Sequence, residues 1–262
     1  MTLRLPMLLA VSLLAGTAAD AQTEDAKAFA CEAVPTPVVR LDHGSRYTAE
    51  DASRSTFDEA SNDEVNRQLK PVDDFITDLA GAANTAVSSE ADRKVAAQCV
   101  LAGLNAWAKA GALSDLATMN AQLSVPSRVA GLAFAYAQVR PFLPPSSDTK
   151  RVDAWLAERA RATMGYFDTD APKNASRNNL RAWAALAVAR VGLTLDDTAM
   201  IDWADASVRL VACQAAPDGS LPLEMARREL RSRGRGLGRR DGRRAGSGQR
   251  QRRRDRAGRG SA

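Results

Sequence analysis

Between Asp63 and Ala215 apolar residues recur at the three- and four-residue spacing of an amphipathic helix, and nowhere do they alternate with the two-residue period of a strand. That pattern restricts the chain to an all-α domain. Val72, Phe75, Ile76 and Leu79 behind Pro71 predict a helix whose first turn holds the proline. Ser89 and Glu90 introduce a second helix, carrying Val95, Cys99 and Ala102 towards Ala110 and closed at Gly111. A short helix around Leu113 to Leu123 follows, then one from Pro126 to Val139 with Val129, Leu132, Ala133 and Tyr136 on one face. Further helices are predicted from about Lys150 to Tyr166, from Arg177 to Val191 with Gly192 as the stop, and from Asp197 to Ala215 with Asp196 or Asp197 as N-cap. Helices of this length joined by short loops imply antiparallel helical pairs, and periodicity alone leaves bundle, solenoid and toroid open.

The two ends of the chain follow other rules. Arg4, the apolar run Leu5 to Ala18 and the small-x-small site Ala19-Asp20-Ala21 read as a secretory signal, so residues 1–21 are expected to be removed and the chain to be periplasmic or secreted. The run is shorter than the roughly 20 residues of a membrane-spanning helix. Residues 22–63, with Pro35, Pro37 and Gly44, show no periodicity and are expected to be irregular; the helical domain is expected over 64–230.

Residues 231–262 hold thirteen Arg and two Asp, a net of +11, so the reported +5 for the chain conceals an acidic body of about −6. The only large apolar residue in that tail is Leu237, too little to offset chain entropy, and disorder is expected. Its narrow repertoire of Arg, Gly, Ala, Ser, Asp and Gln fits a GC-rich reading frame entered out of register; a genuine polyanion-binding tail is the alternative. The tail lacks Phe, Tyr and Trp, so the base stacking used by single-strand binders is missing and nucleic acid is not the expected partner.

An oxidising compartment permits one disulfide among Cys31, Cys99 and Cys213. A bridge between Cys31 and Cys99 would pin the irregular segment to the helical body, and Cys213, in an apolar stripe, reads as a buried small hydrophobe. No C-x-x-C occurs, and the only histidine, His43, has no partner at ligand spacing, so no metal site is expected.

Several motifs in order carry a resemblance: Cys31 with its proline-containing loop, Ser45-Arg46-Tyr47, Asn105-Ala106-Trp107-Ala108-Lys109-Ala110-Gly111-Ala112-Leu113, Asn178-Asn179 with Trp183, and Asp218-Gly219-Ser220-Leu221-Pro222-Leu223-Glu224-Met225-Ala226-Arg227-Arg228. Together they resemble the alginate lyase family of polysaccharide lyases, over roughly the first two-thirds of such a domain. The resemblance implies an incomplete (α/α) toroid with a groove for alginate or a related polyuronate, cleavage by β-elimination, and no metal or organic cofactor. It assigns Asn179 to neutralising the substrate carboxylate and Arg227 to lowering the pKa of a catalytic tyrosine. It gives Arg46, Trp107, Asn178 and Trp183 to substrate binding or the groove wall.

Two positions depart from the family. Leu180 stands where the family has histidine, and the tyrosine, expected about seven residues after Arg227, would fall near Gly234 in the Arg-rich tail. An impaired enzyme is therefore expected, or a subfamily in which the histidine is dispensable. His43, Tyr47 and Tyr166 are conceivable stand-ins, each more readily read as structural. A non-catalytic binder of acidic polysaccharide, using Arg46, Lys109, Arg181 and Arg227, is the competing reading.

Overall fold

Side-chain caps, more than prolines, set where the helices begin. The computed structural model describes residues 29–225 apart from Ala52, Ser53 and Ser55. The expected signal segment 1–21, Arg227 and the stretch 231–262 lie outside the described residues. Within them run α1 (Glu59–Ser88), α2 (Arg93–Lys109), α3 (Met119–Val139), α4 (Ser147–Thr169), α5 (Asn179–Leu195) and α6 (Thr198–Ala212).

Asp58 caps α1 by accepting from the Ser61 backbone N at 2.9 Å, so the helix starts twelve residues before Pro71 and carries the proline inside. An interior proline costs about 3 kcal/mol. Burial of Val65 and Leu69, at about 1.5–3 kcal/mol each, outweighs it. The same correction applies to α3: Thr118 caps it through the Ala121 N, and the two helices predicted around Pro126 are one. Ser146 and Thr149 form a capping box that starts α4 earlier than predicted.

Gly111 ends α2 with φ +63, as expected. Gly192 does not end α5: a Cβ there would meet the Met200 Cβ at 2.8 Å, so the glycine is used for the close approach of α6. The chain turns instead at Asp196, φ 56, and Asp197 caps α6. The Asp197 carboxyl is held below the usual carboxylate range by its bond from the Met200 N and by Arg161. Cys213 forms the exposed C-cap of α6 and is not buried, because the helix has already closed at Ala212.

The helices alternate between two layers. α3 lies between α1 and α5, while α2 packs on α4 behind them, α4 on α5, and α6 on α5. Each consecutive pair therefore spans the layers. Two short strands not predicted from the sequence, β1 (Arg40–Leu41) and β2 (Asp115–Leu116), pair in parallel and fasten the otherwise irregular segment 29–58 to the turn between α2 and α3. The expected disulfide joins Cys31 to Cys99 on α2.

The Asn105 to Leu113 motif is part of this core, not of a groove. Trp107 is fully buried, stacks on Phe75 with ring centroids 4.3 Å apart, and donates its indole N–H to the Pro35 carbonyl. This corrects its expected role on a sugar face: the ring is fully buried, with Phe75 of α1 on one face and the Pro35 carbonyl at its indole N–H. Asn105 accepts from Arg151, and the Trp155 indole and Arg159 guanidinium donate to the Ala112 and Leu113 carbonyls. Among the described residues no helix is long and apolar enough to cross a membrane.

Replacing Trp107 by Ala is expected to lower stability by about 3–5 kcal/mol. Denaturant unfolding checks this, and an unchanged midpoint would place Trp107 outside the core. Cys31→Ala with Cys99→Ala, which opens a link across 68 residues, is expected to cost about 2–4 kcal/mol in the same assay.

Candidate active site

The first turn of α5 is built from side-chain bonds on every side. Asn178, in extended conformation, accepts from the Leu180 N at 2.9 Å and so serves as N-cap. Asn179 begins the helix, and its backbone N donates to Glu224 Oε1 at 3.4 Å. Its side-chain Oδ1 is buried with no hydrogen-bond partner among the described residues. A buried acceptor left unpaired costs about 1–3 kcal/mol. That oxygen can only accept; the side-chain NH2 is the part of Asn179 able to donate to a carboxylate.

One turn on, Trp183 lies on the same helical face as Asn179 and is 48% exposed. The indole is thus free to stack on a ring laid along α5. Leu180 points elsewhere. It packs against the small apolar cluster of Leu123, Phe167, Ala175 and Ala184, where an imidazole would be poorly solvated.

Arg181 is committed to structure and is not free for a uronate. Its guanidinium donates to the Ser207 hydroxyl, the Phe167 carbonyl and Asp168, and lies 4.7 Å from the ring centre of Trp203. Trp203 in turn donates to the other oxygen of Asp168. One cation therefore ties the end of α4 and the middle of α6 to the start of α5.

The Asp218 to Glu224 motif supplies the facing wall. Gly219 adopts φ +80, the Ser220 N bonds Asp218, and the Ala216 N bonds the Ser220 carbonyl, so the chain reverses after α6. The bonds from Ser220 hold the Asp218 carboxyl below its usual range. Pro222 opens the helical turn 222–225, and a small pocket forms between Leu221 to Glu224 and Arg177 to Asn179. Gln214 donates to the Arg177 carbonyl and secures the same junction. Glu224 lay inside the quoted motif, yet no spacing rule in the sequence marked it as a partner of Asn179.

The structure thus brings Asn178, Asn179 and Trp183 together with the 218–224 segment. Arg46 belongs to the segment before α1, where its carbonyl accepts from the Asp58 N and its side chain is half-buried. Arg227 lies outside the described residues. The three possible stand-ins have structural surroundings. His43 is buried between the Gly44 carbonyl and the Ser124 hydroxyl, and Tyr47 stacks on Phe57. The Tyr166 hydroxyl is buried without a partner among the described residues, and burial, followed by the charge of Asp170, raises its pKa, which keeps it protonated and not available as a base. Among the described residues no group of His, Cys, Asp or Glu could hold a metal ion.

The alginate lyase family model matches residues 91–233, more than half of the chain. A polysaccharide lyase of Stenotrophomonas maltophilia strain K279a is 33% identical over 231 residues, covering 87% of this chain and 65% of the relative. An alginate lyase of Azotobacter vinelandii is 29% identical, covering 78% of this chain and 55% of its own length. This chain therefore spans about half to two-thirds of the length of the curated relatives it matches. Among solved structures, a variant of alginate lyase A1-III complexed with a tetrasaccharide superposes with a TM-score of 0.65 at 23% identity, covering 75% of this chain and 53% of that one. Alginate lyase A1-III from Sphingomonas species A1 gives 0.61, covering 74% and 53%. The two-layer alternation of α1 to α6 is accordingly that of the (α/α) toroid. With more than half of its residues matched by the family model, the chain belongs to the alginate lyase family.

Proposed function

We propose that the chain acts as a polysaccharide lyase on alginate or a related polyuronate, by β-elimination, with turnover lowered by the leucine at 180. The observation that carries this reading is Asn179, fixed at the start of α5 with the exposed Trp183 one turn on along the same face, so that its side-chain NH2 is the group able to donate to a carboxylate. Elimination removes the C5 proton of a uronate, forms the C4–C5 double bond and expels O4, which must be protonated. The C5 proton is acidic only when the adjacent carboxylate is neutralised. A fixed amide donor does that without moving a proton, and preorganised donors of this kind are worth about 10²–10³-fold.

The proton-transfer group is the part of the family chemistry that this sequence alters most. Leu180 supplies no imidazole, and Gly234 stands near the place of the family tyrosine. Arg227 is proposed as a positive charge beside the reacting uronate, and Arg46 and Asn178 as a more distant contact and the groove wall. The substrate is an acidic polysaccharide, and export with cleavage after Ala21 places the enzyme where such polymers occur. The Cys31–Cys99 disulfide supports an oxidising compartment.

Alginate incubated with the purified chain is expected to yield unsaturated uronate ends, read by their ultraviolet absorbance. Asn179→Ala is expected to lower kcat/KM by about 10²-fold or more, whereas equal rates would remove Asn179 from the mechanism. Trp183→Ala is expected to raise KM by about fivefold or more with a smaller effect on kcat, as loss of uniform binding does. A fall in kcat alone would assign the indole to the reacting centre instead.

A further inference from the structure

We infer that Glu224 is the positioning residue of this site: its carboxylate locks the Asn179 backbone and thereby fixes where the neutralising amide points. The inference rests on the proposed role of Asn179 and deepens it.

The first turn of a helix leaves backbone N–H groups without intrahelical partners. In α5 two of them are taken by side chains. Asn178 takes the Leu180 N from the N-cap position, at 2.9 Å. Glu224 takes the Asn179 N from 45 residues away, at 3.4 Å. The second bond is the long-range one, and it falls on the residue whose side chain is to meet substrate.

Everything between α6 and Glu224 is arranged to deliver that carboxylate. The Gly219 turn reverses the chain, Pro222 starts a new helical turn, and Gln214 holds the junction to Arg177. Glu224 is half-buried at the pocket between the two segments, with Asn178 and Asn179 on the other wall. A carboxylate so placed also favours the N-terminal end of α5, where negative charge is stabilising.

Glu224 does not touch the reacting atoms in this account. It acts through Asn179, and a residue of that kind affects turnover more than binding. Glu224→Gln keeps a carbonyl acceptor for the Asn179 N, while Glu224→Ala removes it.

The test is amide hydrogen exchange resolved at Asn179 in the full chain, run beside kinetics on alginate. In Glu224→Ala the Asn179 amide is expected to exchange about tenfold faster or more, the scale of one lost hydrogen bond, with the core amides of α3 unchanged as a folding control. The kcat is expected to fall by about tenfold with KM within about threefold, and Glu224→Gln is expected to recover most of both losses. Unchanged exchange at Asn179 in Glu224→Ala would overturn the inference. So would a Gln variant as impaired as Ala, which would show the charge acting on substrate directly. A wild-type chain that forms no unsaturated product would sink the proposed lyase activity, and the exchange measurement would still decide whether Glu224 locks Asn179.

Discussion

The guanidinium of Arg181 is the interaction on which the site depends. It is largely buried, and its donors are divided between two helices, the Phe167 carbonyl and Asp168 at the end of α4 and Ser207 on α6, tying both to its own α5. Trp203 covers its face and closes the circuit through Asp168. A buried cation without such partners would cost several kcal/mol, so the network is held together as a unit. Its position two residues after Asn179 means that the same anchor which joins the layers also holds the first turn of α5 in place.

From that anchor the functional face follows by helical geometry. Asn179 and Trp183 share one side of α5, Leu180 and Ala184 another, and Arg181 and Val188 a third that faces the interior. A hydrophobic residue at 180 is therefore well accommodated by packing. It replaces a titratable group with a contact to the Leu123 and Phe167 cluster. The amide and the indole remain where a sugar chain could meet them.

Much of this was legible in the sequence and some was not. The helical class, a cap at Asp196 or Asp197, the stop at Gly111 and the Cys31–Cys99 pair follow from local rules and from compartment chemistry, and the structure agrees, with Asp197 as the cap. Pro71, Pro126 and Gly192 were misread because a local breaker can be overruled: burial of Val65 and Leu69 carries α1 through its proline, and contact with Met200 explains Gly192 better than a helix end does. Cys213 failed for the opposite reason, since a helical stripe extrapolated past Ala212 meets no partner there. Trp107 and Trp183 each sit in a polar-flanked motif, and sequence alone treats them alike. Only the tertiary neighbours, Phe75 and Pro35 for one and open space for the other, separate a core indole from an available one. Glu224 was invisible because a bond across 45 residues leaves no periodic trace.

The central claim is that Asn179 and Trp183 form the sugar-contacting face of α5. Titrating the chain with short oligouronates while following indole and side-chain amide resonances by NMR tests it most directly. The Trp183 indole and the Asn179 amide are predicted to shift in a saturable, concentration-dependent way, with Trp107 and Trp155 unmoved. Shifts confined to Trp107, or no response at Trp183 under saturating ligand, would contradict the account.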